Sequence, residues 1–206
     1  MATAKRVLLT GERGAGKTTW LAKLVDAARQ AGYQVKGLLS PGTFENGVKV
    51  AINLVDLATQ ETRVMSTPVE PHLAAGRGGI RRLDNGNLVL GGWLMHEEVL
   101  QWGNDRLYEC ILSHHTSSEE RPSLLIIDEL GPLEFNHGFG FTHAIQFGGL
   151  LNLKTHTPRL FTAHDGQISE QAEPGGKQAS FIVIRPDLIP KALTIWPQAH
   201  TLEIKR

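Results

Sequence analysis

The sequence predicts an α/β protein in which a mostly parallel sheet is flanked by helices and interrupted by an inserted antiparallel β-meander. Three stretches predict this fold. Apolar residues 7–9 read as a buried strand that enters a glycine-rich loop, and a helical segment leaves that loop. Residues 34–40 read as a second strand, and apolar residues 124–127 as a third. Strand, loop, helix and strand in succession form the unit of a parallel sheet, because parallel neighbours need a crossover.

The glycine-rich loop carries a phosphate-binding motif. Residues 11–19 read GERGAGKTT and match the pattern G-x-x-x-x-G-K-[ST]. Glycines let backbone amides surround phosphate oxygens, and the N-terminus of the following helix adds unpaired N–H donors. In such a P-loop the lysine reaches the β- and γ-phosphates and the threonine hydroxyl is a ligand of Mg²⁺. The motif therefore predicts that the chain binds a nucleoside triphosphate. The residues expected to bind it are Gly11, Glu12, Arg13, Gly14, Ala15, Gly16, Lys17, Thr18 and Thr19.

A second motif supplies two carboxylates. Residues 124–129 read LLIIDE, which has the form of a Walker B strand. An acid at the carboxyl end of a buried strand can hold Mg²⁺ beside the P-loop hydroxyl, so we assign Asp128 and Thr18 to the metal. Glu129 follows, where a carboxylate can polarise the water that attacks the γ-phosphate. We therefore predict that Lys17 and Glu129 are catalytic. The long separation of the two motifs fits adjacent parallel strands only if an insertion intervenes.

That insertion is predicted at residues 43–92. Its first part alternates apolar residues with polar or small ones, as half-buried antiparallel strands do. The apolar members are Val48, Val50, Ile52, Leu54 and Leu57. The rest is rich in loops, with a turn at Asn85-Gly86. Its three arginines, Arg77, Arg81 and Arg82, indicate either a mobile loop near the phosphates or an ordinary solvated loop.

The remaining segments are predicted from hydrophobic periodicity. The first helix should end near Ala31-Gly32. Helices are predicted over 93–115, with a kink or break at Gly103, and over 138–153. A core strand is predicted at 158–163, an exposed loop at 164–178, a strand at 180–184, and short strand-like runs at 192–196 and 201–204.

The composition favours one α/β domain spanning residues 1–206. The charges of the 21 basic and 21 acidic residues cancel, which argues against extended, sequence-independent binding of nucleic acid. No apolar run approaches the roughly 20 residues of a membrane helix, and the first strand follows the N-terminus too closely for a signal peptide. A single cysteine, Cys110, fits a reducing compartment. We therefore expect a cytoplasmic protein without membrane insertion.

At its two motifs the chain resembles the THEP1 family of nucleoside-triphosphatases. The resemblance rests on residues 11–19 and on IIDELGPLEF at 126–135, where the family carries a DEIGxME-like form. Residues 37–61 are similar in style, with departures at residues 38–40 and 51–52. The resemblance implies a RecA-like parallel sheet and Mg²⁺-dependent hydrolysis of ATP, GTP and other triphosphates to the diphosphate and phosphate. Near Arg185 the family's N-R-D-like turn is altered, so no role is carried over to that residue.

Two other functions stay open. Arg13 and the arginine-bearing loop would also suit a small-molecule or nucleotide kinase. A slow nucleotide-dependent switch or accessory ATPase would instead serve a protein partner. The chain has no [NT]-K-x-D base-reading motif and no LSGGQ signature, so a dedicated GTPase switch and a transporter ATPase are disfavoured. Glu134, which recurs in the family motif, is expected either to orient the catalytic segment or to cap a helix.

Overall fold

The computed structural model describes residues 5–76, 79–116, 122–146, 160–164, 167–171 and 178–205. In these ranges the strands are β1 (Lys5–Thr10), β2 (Gln34–Leu39), β3 (Gly42–Glu45), β4 (Val48–Asp56), β5 (Thr62–Pro68), β6 (Ile80–Arg82), β7 (Leu88–Leu90), β8 (Trp93–Met95), β9 (Ser123–Leu130), β10 (Leu160–His164), β11 (Gln167–Gln171), β12 (Gln178–Ile184) and β13 (His200–Glu203). The helices are α1 (Lys17–Gln30), α2 (Glu97–Thr116), α3 (Pro132–His137), α4 (Thr142–Gln146) and α5 (Ile189–Ile195), with short 3-10 turns at Pro71–Leu73 and Pro186–Leu188.

The main sheet joins a parallel half to an antiparallel half. Its strand order is β13-β1-β12-β9-β2-β4-β5-β8-β7-β6, and β3 pairs with β4. The pairs from β13 to β2 are parallel, and the pairs from β2 onwards are antiparallel. The predicted parallel core with an inserted meander is therefore confirmed. The two motif-bearing strands are not adjacent, however, because β12 lies between β1 and β9 and pairs with both.

Helices cover both faces of the parallel half. Val7 and Leu9 of β1 join a buried cluster with the apolar face of α1, whereas Leu8 belongs to a second cluster with α2, α3 and α5. Residues 124–127 of β9 have no exposed surface. Strands that are covered on both faces lack the apolar–polar alternation of half-buried strands. This explains why the sequence shows them as uninterrupted apolar runs.

The antiparallel half is built from short strands and tight turns. The β3–β4 turn places Asn46 and Gly47 at positive φ values of 47° and 78°, as a two-residue hairpin turn requires. The turn predicted at Asn85-Gly86 connects β6 to β7 and is closed by the Gly86 amide, which donates to the Leu83 carbonyl over 2.9 Å. Both turns fix which residues of the hairpins face the core.

Several predictions for segments outside the P-loop motif, the Walker B strand and the meander need correction. The predicted helix over 93–115 begins later, because residues 93–95 form β8 between β5 and β7. Helix α2 then continues through Gly103 without a break. The predicted core strand at 158–163 corresponds to β10, which pairs with β11 in a separate two-stranded sheet. β11 replaces part of the loop predicted at 164–178, and α5 replaces the strand-like run at 192–196.

Other predictions agree with the structure as far as it describes them. Helix α1 ends at Gln30, before Gly32 with its φ of 83°. The runs at 180–184 and 201–204 correspond to β12 and β13. Of the helix predicted at 138–153, residues 138–141 are not helical and 142–146 form α4, whereas 147–153 lie outside the described residues, as does Arg77. Within the described ranges, no helix combines the length and apolar character needed to cross a membrane.

Candidate active site

The glycine-rich loop connects the carboxyl end of β1 to the first residue of α1, Lys17. Gly16, with a φ of 91°, directs the chain into the helix. The Lys17 ammonium folds back over the loop and donates to the carbonyls of Gly11, at 2.8 Å, and Glu12, at 3.1 Å. An ammonium has three donors, so these two bonds leave one N–H available. The loop, the N-terminus of α1 and Lys17 thus form a positively charged region at one edge of the sheet, which is suited to bind an anion.

The P-loop hydroxyl faces a buried carboxylate. Thr18 Oγ1 lies 3.3 Å from Asp128 Oδ1 at the end of β9. The other carboxylate oxygen of Asp128 accepts a hydrogen bond of 3.0 Å from the Ser40 amide, and the Ser40 hydroxyl donates to the Asp128 carbonyl. Asp128 is only 1% exposed. Asp128 therefore connects Thr18 of the P-loop motif to Ser40, the residue that follows β2.

A β-bulge places the two acids of β9 in different surroundings. Ile127 pairs with Ile182 and Leu130 pairs with Ile184, so two residues of β9 lie opposite the single Val183 of β12. A bulge of this kind bends a strand and re-aims its side chains. Asp128 is accordingly buried against Thr18 and Ser40, whereas the neighbouring Glu129 is exposed. The two consecutive acids thus lie at the same edge of the sheet, but Asp128 is buried and Glu129 is exposed.

Glu129 lies among positive charges. Surrounding protein restricts the hydration of its carboxylate and raises its pKa, although the residue as a whole is exposed. The charges of Lys17, Arg185, Arg13 and Lys49 oppose this shift. Arg185 is held by Asp187 through two hydrogen bonds of 3.0 Å each. The four cations come from the P-loop, the end of β12 and the β3–β4 hairpin, so three separate parts of the chain converge on Glu129.

Burial also raises the pKa of Asp128, to about 6, and the charge of Glu129 adds to the shift. The Ser40 amide, the Thr18 hydroxyl and Lys17 oppose it. A buried carboxylate this incompletely compensated, with a hydroxyl oxygen 3.3 Å away, is a donor set suited to a hard divalent cation such as Mg²⁺. In the described part of the chain no three His, Cys, Asp or Glu side chains cluster as a metal site. A cation held by one carboxylate, one hydroxyl and substrate phosphates requires no such cluster.

Known proteins share this chain's motifs and fold. A family model described as NTPase matches residues 6–82. The THEP1 nucleoside-triphosphatase of Saccharolobus solfataricus is 29% identical over 131 residues, which cover 64% of this chain and 62% of that protein. The one from Methanopyrus kandleri is 26% identical over 159 residues, covering 77% of this chain and 73% of that protein. The resemblance to the THEP1 family is confirmed. The chain spans less than two thirds of the length of the first of these relatives.

Solved structures extend the likeness to the fold. The solution structure of a human cancer-related nucleoside triphosphatase has a TM-score of 0.62 at 16% identity and covers 98% of this chain and 90% of its own. The crystal structure of THEP1 from Aquifex aeolicus has a TM-score of 0.52 at 17% identity, with coverage of 97% and 90%. Likeness at this identity concerns the fold alone, and it confirms the predicted P-loop NTPase fold.

Glu134, from the THEP1-like motif, has a helix-capping position. Its carboxylate accepts hydrogen bonds from the Gly131 amide at 2.8 Å, at the start of α3, and from the Phe141 amide at 3.1 Å. Burial raises the pKa of Glu134 to about 7. Of the two alternatives for this residue, the structure matches the cap. By fixing the N-terminus of α3 directly after β9, it also holds the segment that follows the two acids.

The structure brings the predicted site residues of both THEP1-like motifs to one edge of the sheet. Residues 11–16 form the loop, residues 17–19 begin α1, and Asp128 and Glu129 lie opposite them. Arg13 is exposed. Ser40 was not predicted from the sequence, although its position directly after a parallel strand is a usable signal, since ligands bind at the carboxyl ends of such strands. Lys49 was not predicted either, because its proximity to Glu129 depends on how the hairpin folds.

Proposed function

We propose that this chain is an enzyme that hydrolyses nucleoside triphosphates, ATP and GTP among them, to the diphosphate and phosphate with the help of Mg²⁺. The observation that carries the proposal is the convergence of Lys17 and Thr18 with Asp128 and Glu129 at the carboxyl edge of the parallel strands. The names of the similar THEP1 proteins support it. We further propose that residues 1–206 act as a single domain in the cytoplasm, where a buried free thiol such as Cys110 stays reduced.

Each group in the site has a distinct task in this proposal. The amides of residues 11–19 and the N-terminus of α1 bind phosphate oxygens, and the ammonium of Lys17 exchanges its carbonyl partners for the β- and γ-phosphates. Thr18 and Asp128 would hold Mg²⁺, which neutralises charge on the phosphates when bound. Ser40 keeps the Asp128 carboxylate in place through its amide. The chain thereby positions the triphosphate for in-line attack.

Glu129 is the proposed general base. A base works best when its pKa approaches the operating pH, and restricted hydration raises the pKa of Glu129 in that direction. Its exposure leaves space for a water molecule between the carboxylate and the γ-phosphate. Asp128 could not fill this role, because it is buried and both carboxylate oxygens already have partners. The two adjacent acids therefore divide metal binding and water activation between them.

The proposal is tested by replacing Glu129 with glutamine, which has nearly the same shape but cannot act as a base. Glu129→Gln is expected to lower kcat for phosphate release from ATP and GTP by about 10²- to 10⁴-fold, with nucleotide binding retained. Phosphate release should require Mg²⁺ and no acceptor molecule, which separates hydrolysis from the kinase alternative.

Glu98→Gln provides a matched control, because Glu98 is an exposed glutamate in the first turn of α2. It should hydrolyse at the wild-type rate. If Glu129→Gln does so as well, Glu129 is not the base. If the wild-type chain binds triphosphates but phosphorylates an added acceptor faster than it releases phosphate, the hydrolase assignment is wrong.

A further inference from the structure

The β3–β4 hairpin lies next to the candidate site, and the apolar side chains at its tip are exposed to solvent. Phe44 is 60% exposed and Val48 is 65% exposed. Lys49 lies on the same hairpin, with its ammonium 5.5 Å from the centre of the Phe44 ring. A cation above an aromatic face is attracted by the ring. The aromatic residue thus restrains a lysine that would otherwise be free to move in solvent.

The start of the hairpin is shaped to accept this lysine. A Cβ atom at Gly42 would come within 2.8 Å of Lys49 Cε and 3.3 Å of its Nζ. The absence of a side chain at Gly42 therefore lets the lysine stem lie directly against the backbone of β3. The Phe44 ring also lies against Gly42, with its Cε2 atom 3.1 Å from the same Cβ position, so the ring and the Lys49 ammonium lie together near the first residue of the strand. In the described residues Lys49 has no hydrogen bond or ion pair with a side chain.

This position places the Lys49 ammonium on the side of the site where Ser40, Asp128 and Glu129 lie. The hairpin begins two residues after Ser40, whose amide and hydroxyl both bind Asp128. The charge of Lys49 acts on Glu129 from this side, whereas Lys17 acts from the P-loop. Two cations on different elements thus flank the carboxylate that would activate water.

We propose that Lys49 contacts the γ-phosphate of the nucleoside triphosphate and stabilises the negative charge that shifts during its transfer to water. This inference rests on the proposed hydrolase function. Glu129 and the γ-phosphate are both anionic, and their approach is unfavourable unless a cation lies near both. Arg185 is less suited to this task, since Asp187 already occupies its guanidinium with two hydrogen bonds. Within the part of the chain that the structure describes, no carboxylate pairs with Lys49 in this way.

Lys49 acts by charge alone and exchanges no atoms. The oxygen of water forms a bond to the γ-phosphorus while the bond from phosphorus to the bridging oxygen breaks. The electron pair of that bond leaves with the diphosphate, and the proton of water passes to Glu129. Lys17 and Lys49 then stabilise the negative charge on the transferred group and on the leaving oxygens. Because a diphosphate lacks the γ group, Lys49 should distinguish triphosphates from diphosphates.

The test compares Lys49→Met with Lys49→Arg. Lys49→Met is expected to lower kcat about 10- to 100-fold and to weaken binding of a non-hydrolysable triphosphate analogue about 10-fold, with diphosphate affinity unchanged. Lys49→Arg, which keeps the charge, should restore most of the activity. Phe44→Leu, which removes the ring below the ammonium, should give a smaller loss of kcat. Affinities are measured by titration calorimetry and kcat by phosphate release.

Lys23→Met is the matched control, because Lys23 is an exposed lysine of α1. The inference is overturned if Lys49→Met behaves like Lys23→Met, or if it weakens diphosphate and triphosphate binding equally. It is also overturned if Arg13→Gln, and not Lys49→Met, removes the preference for the triphosphate. If the wild-type chain releases no phosphate, the proposed function fails, and the affinity comparison still decides whether Lys49 reads the γ-phosphate.

Discussion

The parallel and antiparallel halves of the sheet are buried to different degrees. Residues 124–127 of β9 are fully buried, and the neighbouring parallel strands are covered on both faces. In the antiparallel half, Phe44, Val48 and Val64 are large apolar residues that remain exposed. Burying an apolar side chain contributes roughly 1.5–3 kcal/mol, so the parallel half supplies more stability per residue. The candidate site lies at the boundary, where β2 pairs in parallel with β9 and antiparallel with β4.

This difference separates the parts of the site by rigidity. The P-loop and the two acids extend from fully buried strands, which hold them in fixed relative positions. The hairpin that carries Lys49 follows Ser40 at the same edge, but its tip, residues 43–49, is exposed. The fixed groups of the candidate site therefore lie beside a hairpin tip that is less buried. The following experiments test whether the two halves differ in stability as their burial indicates.

The largest effect is expected from a matched pair of leucines. Leu125→Ala removes a fully buried side chain from β9 and is expected to lower the free energy of unfolding by about 2–5 kcal/mol. Leu73→Ala, in the inserted segment where the leucine is 40% exposed, should change it by less than about 0.5 kcal/mol. Urea denaturation followed by circular dichroism measures both. Equal losses would show that burial of the side chain does not decide how much each leucine contributes to stability.

Sequence patterns predicted the parts of the fold that depend on local signals. The P-loop, β1, α1, β2 and β9 were found because glycine spacing and long apolar runs report directly on local structure. The acids Asp128 and Glu129 followed from the same signals, since they end a buried strand. Ser40 could not be found in this way, because its contact with Asp128 joins residues that are far apart in sequence. Lys49 likewise depends on the path of a hairpin.

The errors in the last third of the chain have physical reasons as well. Residues 192–196 form a short apolar run, and such runs do not distinguish a strand from a helix. Pro190 near the start of α5 was the available helix signal, since proline is favoured in the first turn. The position of β12 between β1 and β9 is a property of the assembled sheet. No local pattern specifies which strand becomes the central one.

A second experiment concerns a buried carboxylate that follows β9 in the parallel half. Glu134, after β9, is held by neutral amides, and its pKa is raised by burial from an ordinary value of 4.5 to about 7. Between these values the unfolded chain is ionised while the folded chain stays protonated. Stability is therefore expected to fall as pH rises from about 4.5 to 7, by on the order of 1–3 kcal/mol.

Glu134→Gln cannot ionise and should flatten this part of the pH profile. The burial-raised pKa values of Asp128 and Glu129 act in the same direction, so the slope should decrease without vanishing. The free energy of unfolding is measured by urea denaturation at several pH values between 4 and 8. An unchanged slope in Glu134→Gln would show that folding does not raise the pKa of Glu134.

The smallest effect concerns the arginine that ties the meander to α2. Asp56, at the end of β4, is fully buried and accepts a 2.7 Å hydrogen bond from Arg106 Nε. Arg106→Ala would leave this carboxylate without its charged partner, although the Ala58 amide and Thr59 hydroxyl still bind it. Because the guanidinium is partly solvated, we expect a loss of about 1–2 kcal/mol.

Arg63→Ala is the exposed counterpart within the meander. Arg63 pairs with Glu61 and lies 4.4 Å from the centre of the Trp102 ring, and both charged partners are solvated. Removing it should cost less than about 1 kcal/mol, and 1 M salt should reduce that cost further, since screening weakens exposed pairs most. The loss in Arg106→Ala should persist in salt. If salt abolished it, the Asp56–Arg106 pair would behave as a surface contact, and the boundary between the halves would be less firmly anchored than its burial indicates.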